Sequence, residues 1–421
     1  MQLNGKSSVK SALALASSVL IGSGAAQANR VESTVLIYSE QDRVSAAESS
    51  VSYSHELDEN QSLKLKLTFD ALTGASPNGA APSKDIQTFT RPSGQGVYTT
   101  NAGDIPLDDT FKDTRFALSG SYARKLGRLN NVFVGGHFSG EHDYTSMGVN
   151  GGISRDFNQR NTTVSLSVSF SSDKIKPEGG VPIPFSSLPM PGETLNRLGP
   201  DDTKKVYDLL LGVTQTIDHT TLMRVNYSYS RSTGYLSDPY KIVSIVQDES
   251  SPDPGEPVDY IYESRPDKRN KQSVYSQIRK YIGGSTVDLS YRYYWDDWGL
   301  NSHTVNLFYN FSLKNGHSLE PHIRWYHQSA SDYYVPSLIE NQTMPDFASA
   351  DYRIGKMSAL TLGMQYMIPI NNGNELKFMF EYYTQYGDSS PPGTIGSQLN
   401  YDMFPTLNAF MVRFGYNFNL K

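Results

Sequence analysis

Along this chain apolar side chains return at every second position, for about ten residues at a time. Leu63, Leu65, Leu67 and Phe69 alternate with Lys64, Lys66, Thr68 and Asp70, and Val164, Leu166, Val168 and Phe170 with serines from Ser165 to Ser171. Val287, Leu289, Tyr291, Tyr293 and Trp295 alternate with Asp288, Ser290, Arg292 and Tyr294. Leu319, Ile323 and Trp325 alternate with Glu320, His322 and Arg324, and Leu376, Phe378, Phe380 and Tyr382 with Lys377, Met379, Glu381 and Tyr383. The last residues repeat the pattern. Phe410, Val412, Phe414, Tyr416, Phe418 and Leu420 interleave with Met411, Arg413, Gly415, Asn417 and Asn419. A period of two marks a strand with one apolar face. Strands in soluble domains average roughly five or six residues, whereas a tilted membrane strand needs roughly 9 to 11.

The connections carry a second signal. Tight turns rich in Asn, Asp and Gly recur at Asp58–Gln61, Lys125–Arg128, Asp156–Arg160, Asp218–Thr220, Gly283-Gly284, Lys314–Gly316 and Asn371–Asn374. Between them lie long polar stretches, 72–113, 173–203, 232–271, 328–356 and 387–407, rich in Pro, Ser and Gly, and two short ones, 140–144 and 296–301. Short turns at one end and longer loops at the other are the asymmetry of outer-membrane barrels. Parity then predicts an all-β, antiparallel transmembrane barrel of 16 strands, Thr34–Glu40 supplying the first. The count becomes 14 if residues 30–57 form a plug or a periplasmic segment. Registers at 144–156 and 272–282 are the least defined.

Composition agrees with one apolar face on an otherwise polar chain: 421 residues, 38% hydrophobic, 12% aromatic, net charge −6. No later stretch is long and apolar enough for a membrane helix. Lys6 and Lys10 precede the apolar run Ala12–Ile21 and the A-x-A site Ala26-Gln27-Ala28. Residues 1–28 read as a signal peptide and 29–421 as one barrel domain in the outer membrane of a Gram-negative bacterium. The mild acidity argues against nucleic acid. The absence of Cys excludes disulfides and thiolate-held metal centres.

Several longer segments point to a family. They are Asp70–Ala80, Gln87–Gly94, Pro106–Arg115 and Ser154–Thr163. Together they resemble DUF3570, a bacterial family without an assigned activity. The resemblance implies a Gram-negative envelope protein and an extracytoplasmic redox context. The end of the chain, Phe414, Tyr416, Phe418 and Leu420, resembles the aromatic signal read by barrel-assembly machinery, although that pattern usually stops on the aromatic residue itself.

The polar faces name the candidate chemistry. Lys64, Lys66, Asp70, Arg224, Asp288, Arg292, Glu320, His322, Arg324, Lys377, Glu381 and Arg413 are expected to face the lumen. There they serve either ion preference or bracing by cross-strand pairs, both signs being near equal in number. Asp108, Asp109 and Asp113 match no calcium loop and read as a solvated acidic turn. His137, His142 and His327 lie near loop ends close to Asp143 and Asp332, but no G-x-S-x-G or H-E-x-x-H pattern accompanies them. Four histidines, His303, His317, His322 and His327, fall on one hairpin, too spread for one metal. The expectation is therefore a porin-like channel for small solutes or ions, in outer-membrane lipid, not an enzyme, without metal or cofactor. A plugged barrel anchoring envelope redox or secretion partners is the alternative. No strand is stripped of aromatics to mark a subunit contact, so a homo-oligomer stays open.

Overall fold

The computed structural model describes residues 29–41, 43–190 and 193–420, and the expected signal peptide lies outside them. Sixteen strands close into one antiparallel barrel. The first eight are β1 (Arg30–Glu40), β2 (Val44–Asp58), β3 (Gln61–Pro77), β4 (Leu107–Leu126), β5 (Asn130–Gly140), β6 (Tyr144–Phe157), β7 (Thr162–Ile175) and β8 (Asp202–Asp218). The second eight are β9 (Thr221–Gly234), β10 (Lys268–Ile282), β11 (Ser285–Asp296), β12 (Asn301–Ser312), β13 (Ser318–Gln328), β14 (Met357–Ile370), β15 (Asn374–Gly387) and β16 (Leu407–Asn419). Each pairs with its chain neighbours, and β16 returns to β1 with Phe414 opposite Val35 and Phe418 opposite Val31. Closure leaves no open edge, which hydrocarbon requires. Residues 30–57 belong to the wall, so the sixteen-strand count stands and the fourteen-strand alternative falls.

The alternation does what the pattern demands. Val35, Ile37, Leu65, Leu67, Phe69, Val168, Leu211, Leu289, Leu362, Phe380 and Phe414 stay exposed on the outside. Met147, Val149, Ile153, Val274 and Ile278 give the two ill-defined strands the same outward face. Such an apolar girdle is suited to lipid, and aromatic residues edge it. Tyr293 stacks on Trp295 toward one rim, and Tyr416 on Phe418 toward the other.

Seven connections of two to five residues gather at one end of the barrel. The shortest include Gly283-Gly284, whose φ angles of 55° and 90° only glycine adopts freely, as a two-residue hairpin needs. The other end carries short links at 41–43, 141–143 and 297–300 and five long connections, 78–106, 176–201, 235–267, 329–356 and 388–406. These are shorter than the polar stretches suggested, because β3 runs on to Pro77 and β4 begins at Leu107.

Nor are they unstructured. Ile242–Val246 pairs antiparallel with Pro257–Tyr262 and parallel with Leu338–Ile339, and Gln87–Thr90 forms a hairpin with Val97–Thr100. Phe89, Tyr98, Ala80, Ile242 and Tyr262 form one buried cluster, and Val243, Ile261, Leu338 and Ala348 a second. Fully burying side chains such as Phe89 and Ile261 contributes roughly 1.5–3 kcal/mol each. A polar average hid this core, since its apolar residues are few and far apart in sequence.

Candidate functional site: an accessible lumen beneath a packed lid

The inward face follows by parity from the exposed outer face. All twelve expected lumen residues lie on it, and they divide into two groups. One group braces the wall. Asp70 sits opposite both Glu48 and Arg115, and the Arg115 guanidinium reaches Asp70 at 2.6 Å and Glu48 at 3.7 Å. Asp288 lies opposite Arg279 and pairs with it at 2.6 Å. Glu320 accepts from Asn310 at 3.1 Å. Lys377 meets Glu375 at 3.4 Å, which also meets Arg30.

His322 belongs to a row laid across four strands: Phe308, His322, Gly363 and Glu381 are successive register partners. Gly363 leaves the gap through which Glu381 reaches His322 Nδ1 at 2.7 Å; a Cβ there would sit 2.6 Å from Glu381 Cγ. The imidazole stacks flat on Phe308, with ring centroids 4.0 Å apart. This is a structural histidine held by a carboxylate and an aromatic face.

The second group has no carboxylate partner. Lys64, Lys66, Arg224, Arg292, Arg324 and Arg413 enter no ion pair among the described residues. Lys66, Arg324 and Arg413 point inward and remain exposed. Arg224 reaches the Thr214 hydroxyl, at 3.4 Å, and Arg292 lies over the Tyr275 ring. Phe414, Tyr416 and Phe418 face outward on β16, and Leu420 follows the strand.

The five long connections form a lid over the loop-end mouth. The 78–106 and 235–267 connections rise from strand pairs six places apart on the ring of sixteen. They nevertheless bond directly: Ile242 N–H to the Asn78 carbonyl at 2.9 Å, and Ala81 N–H to Ser244 Oγ at 2.9 Å. Ser397 N–H reaches the Pro254 carbonyl at 2.7 Å from the opposite side, and Glu340 N–H the Val246 carbonyl at 2.8 Å. Leu188 N–H donates to the Tyr260 carbonyl and Thr90 Oγ1 to the Pro189 carbonyl. The 235–267 hairpin is thus the hub of the lid.

Beneath the hub lies a buried ionic network. Arg353 contacts Asp351 and Asp238, each at 2.6 Å, and Arg265 contacts Asp351 at 2.8 Å and Glu263 at 2.7 Å. Ser349 Oγ donates to Glu263, and Lys241 Nζ to the carbonyl of Pro77 at the end of β3. Burial alone would push the Asp351 carboxyl up, but Arg353 and Arg265 outweigh it and hold it well below the carboxylate range. Asp238 is lowered in the same way, burial being overcome by Arg353 and Lys241. Glu263 is raised, burial there outweighing Arg265. Nothing in the local sequence marked these residues as partners, since they come from two different connections.

At the rim a different arrangement appears. Asp113, Glu141 and Asp143 bring carboxylate oxygens within 4.8 Å of one another. Burial first, and then the neighbouring Asp113, pushes Glu141 up to about 7. Sequence spacing had grouped Asp113 with Asp108 and Asp109; the fold separates Asp108, which stands opposite Ser76, and the Asp109 side chain lies outside the described residues. The histidines disperse. His327 faces outward beside Trp325 and Ser358, His303 bonds Tyr291, and His317 bonds Tyr366. His137 lines the lumen against Gly148, and His142 is exposed on the 141–143 link. No shared histidine site results among the described residues.

An outward apolar girdle, a charged inward face, and turns segregated from loops define a transmembrane β-barrel of the outer-membrane type. The chain belongs to DUF3570, a family described as protein of unknown function, whose model matches residues 10–418. No curated protein matches it. Among solved structures it is similar to a bacterial polysaccharide outer membrane secretin at 10% identity and TM-score 0.45, covering 93% of this chain and 98% of that one. It is also similar to the siderophore receptor PirA from Acinetobacter baumannii, at 9% identity and TM-score 0.41 over 86% of this chain. The chain spans 54% of that receptor's length. For PirA from Pseudomonas aeruginosa the values are 11%, 0.39 and 94%, with 63% of that chain covered. At that likeness nothing those proteins bind carries over to this one.

Proposed function

We propose that the protein is an outer-membrane channel for small polar solutes or ions, closed at its loop-end mouth by the interlocked lid. One observation carries the reading: Lys66, Arg324 and Arg413 point into the barrel and stay exposed, so the inward side chains leave room for water around these three cations. A barrel of this strand number encloses an aqueous passage readily. The lid makes it a restricted channel rather than a freely open porin, and its opening requires the buried pairs around Arg353 to separate.

The cross-mouth bonding also favours a second reading, a permanently roofed barrel that anchors envelope partners through its short turns. Planar-bilayer recording of the purified protein separates the two. A channel shows discrete openings, rare in the native protein and frequent in Arg353→Leu, which loosens the lid. A roofed scaffold stays silent in both, while heat-modifiable migration still reports an intact barrel.

A further inference from the structure

We infer that the passage prefers anions, through a mid-barrel band of cations left without carboxylates; this rests on the channel reading above. Counted from the short-turn end of each strand, Lys64 and Lys66 are fourth and sixth on β3, Arg224 fourth on β9 and Arg292 eighth on β11. Arg324 is seventh on β13 and Arg413 seventh on β16. They therefore occupy one zone of the wall, spread around the ring. Arg292 and Arg324 stand two strands apart, in rows two residues offset, with the uncharged Thr304 and Asn306 between them.

The carboxylates of the same zone are fewer, and one of them is neutralised. Asp288 forms an ion pair with Arg279, while Glu381 bonds the His322 imidazole and Glu320 the Asn310 amide, so the six unpaired cations of the zone outnumber its uncompensated carboxylates. Other inward carboxylates lie toward the ends. Glu32 pairs with Arg30 near the short turns, while Asp173 pairs with Lys204 and Asp296 with Arg269 beneath the lid. Both signs are near balance over the whole lumen, but position and pairing are not balanced. A paired carboxylate presents a dipole to a passing ion, whereas an unpaired guanidinium or ammonium presents its full charge. At a distance of about 10 Å in water, one such charge enriches a monovalent anion about twofold. Several around one zone reinforce each other, and salt screens them.

The ligand class is small anions, inorganic or carboxylate-bearing. The test is the reversal potential of the reconstituted protein under a KCl gradient, in the native chain and in Arg353→Leu. The expected result is chloride preferred over potassium by roughly threefold or more. Arg292→Gln with Arg324→Gln should move the ratio toward one, and Lys66→Gln, on a distant strand, should do so independently. Discrete openings with no preference, or with potassium preferred, overturn the anion inference and leave the channel standing. Silence from both native protein and Arg353→Leu overturns the channel reading and this inference with it.

Discussion

Arg353 and Arg324 carry the same guanidinium, and the fold uses them in opposite ways. In the lid, Arg353 is clasped by Asp351 and Asp238, both buried. In the lumen, Arg324 stands exposed with Asn306 opposite and forms no ion pair among the described residues. A buried charge must be paired, because desolvation otherwise costs several kcal/mol. A charge facing an aqueous lumen keeps its hydration and needs no partner. The lid therefore spends its charges on holding connections together, and the wall can leave some free to act on solutes.

The largest effect should come from breaking the lid. Arg353→Leu strips the buried Asp238 of its guanidinium and leaves Asp351 with Arg265 alone, a loss of roughly 3 kcal/mol to the lid. Hydrogen exchange should accelerate across 235–267 and 349–353 while the barrel strands keep their protection. Unchanged exchange in those segments would show that the ionic network is dispensable. Phe89→Ala should weaken the same layer by a similar amount through the cavity it creates.

A pH series should distinguish lid from rim by sign. Asp351 and Asp238 have folded pKa values below their unfolded ones, so their contribution is present above the ordinary carboxylate range and fades as pH falls below it. Glu141 is raised to about 7, so its contribution is present below the ordinary carboxylate pKa and is lost as pH rises through about 7, when Asp113, Glu141 and Asp143 repel. Protection from exchange, taken relative to each amide's intrinsic rate at that pH, should therefore fall at 141–143 in alkali and at 349–353 in acid. The same direction at both places would refute the contrast.

Smaller still is Arg115→Ala, which removes a half-buried cation between Glu48 and Asp70 and should cost about 1 kcal/mol in urea unfolding from lipid vesicles. Smallest is Arg324→Gln, expected to change stability by no more than about 0.5 kcal/mol. Its effect should appear in ion preference, and a large unfolding shift would mean that Arg324 has a bracing role.

Strand character, the two-ended arrangement of turns and loops, and the inward set of polar residues were all readable from the chain alone. The reason is local: a period of two puts alternate side chains on opposite faces whatever lies beyond the strand. Lys66 and Leu67 had to part company once a strand formed there. Which charges pair was not readable. Asp288 meets Arg279 because two strands are in register, and Glu381 reaches His322 only because Gly363 intervenes. The lid lay further from view. Ile242, Phe89, Leu338, Asp351 and Arg265 come from three connections with ordinary polar composition, and only closure of the barrel brings their ends around one mouth. Periodicity is a property of neighbours in sequence; partnership across the ring is a property of the closed sheet, and only the tertiary structure decides it.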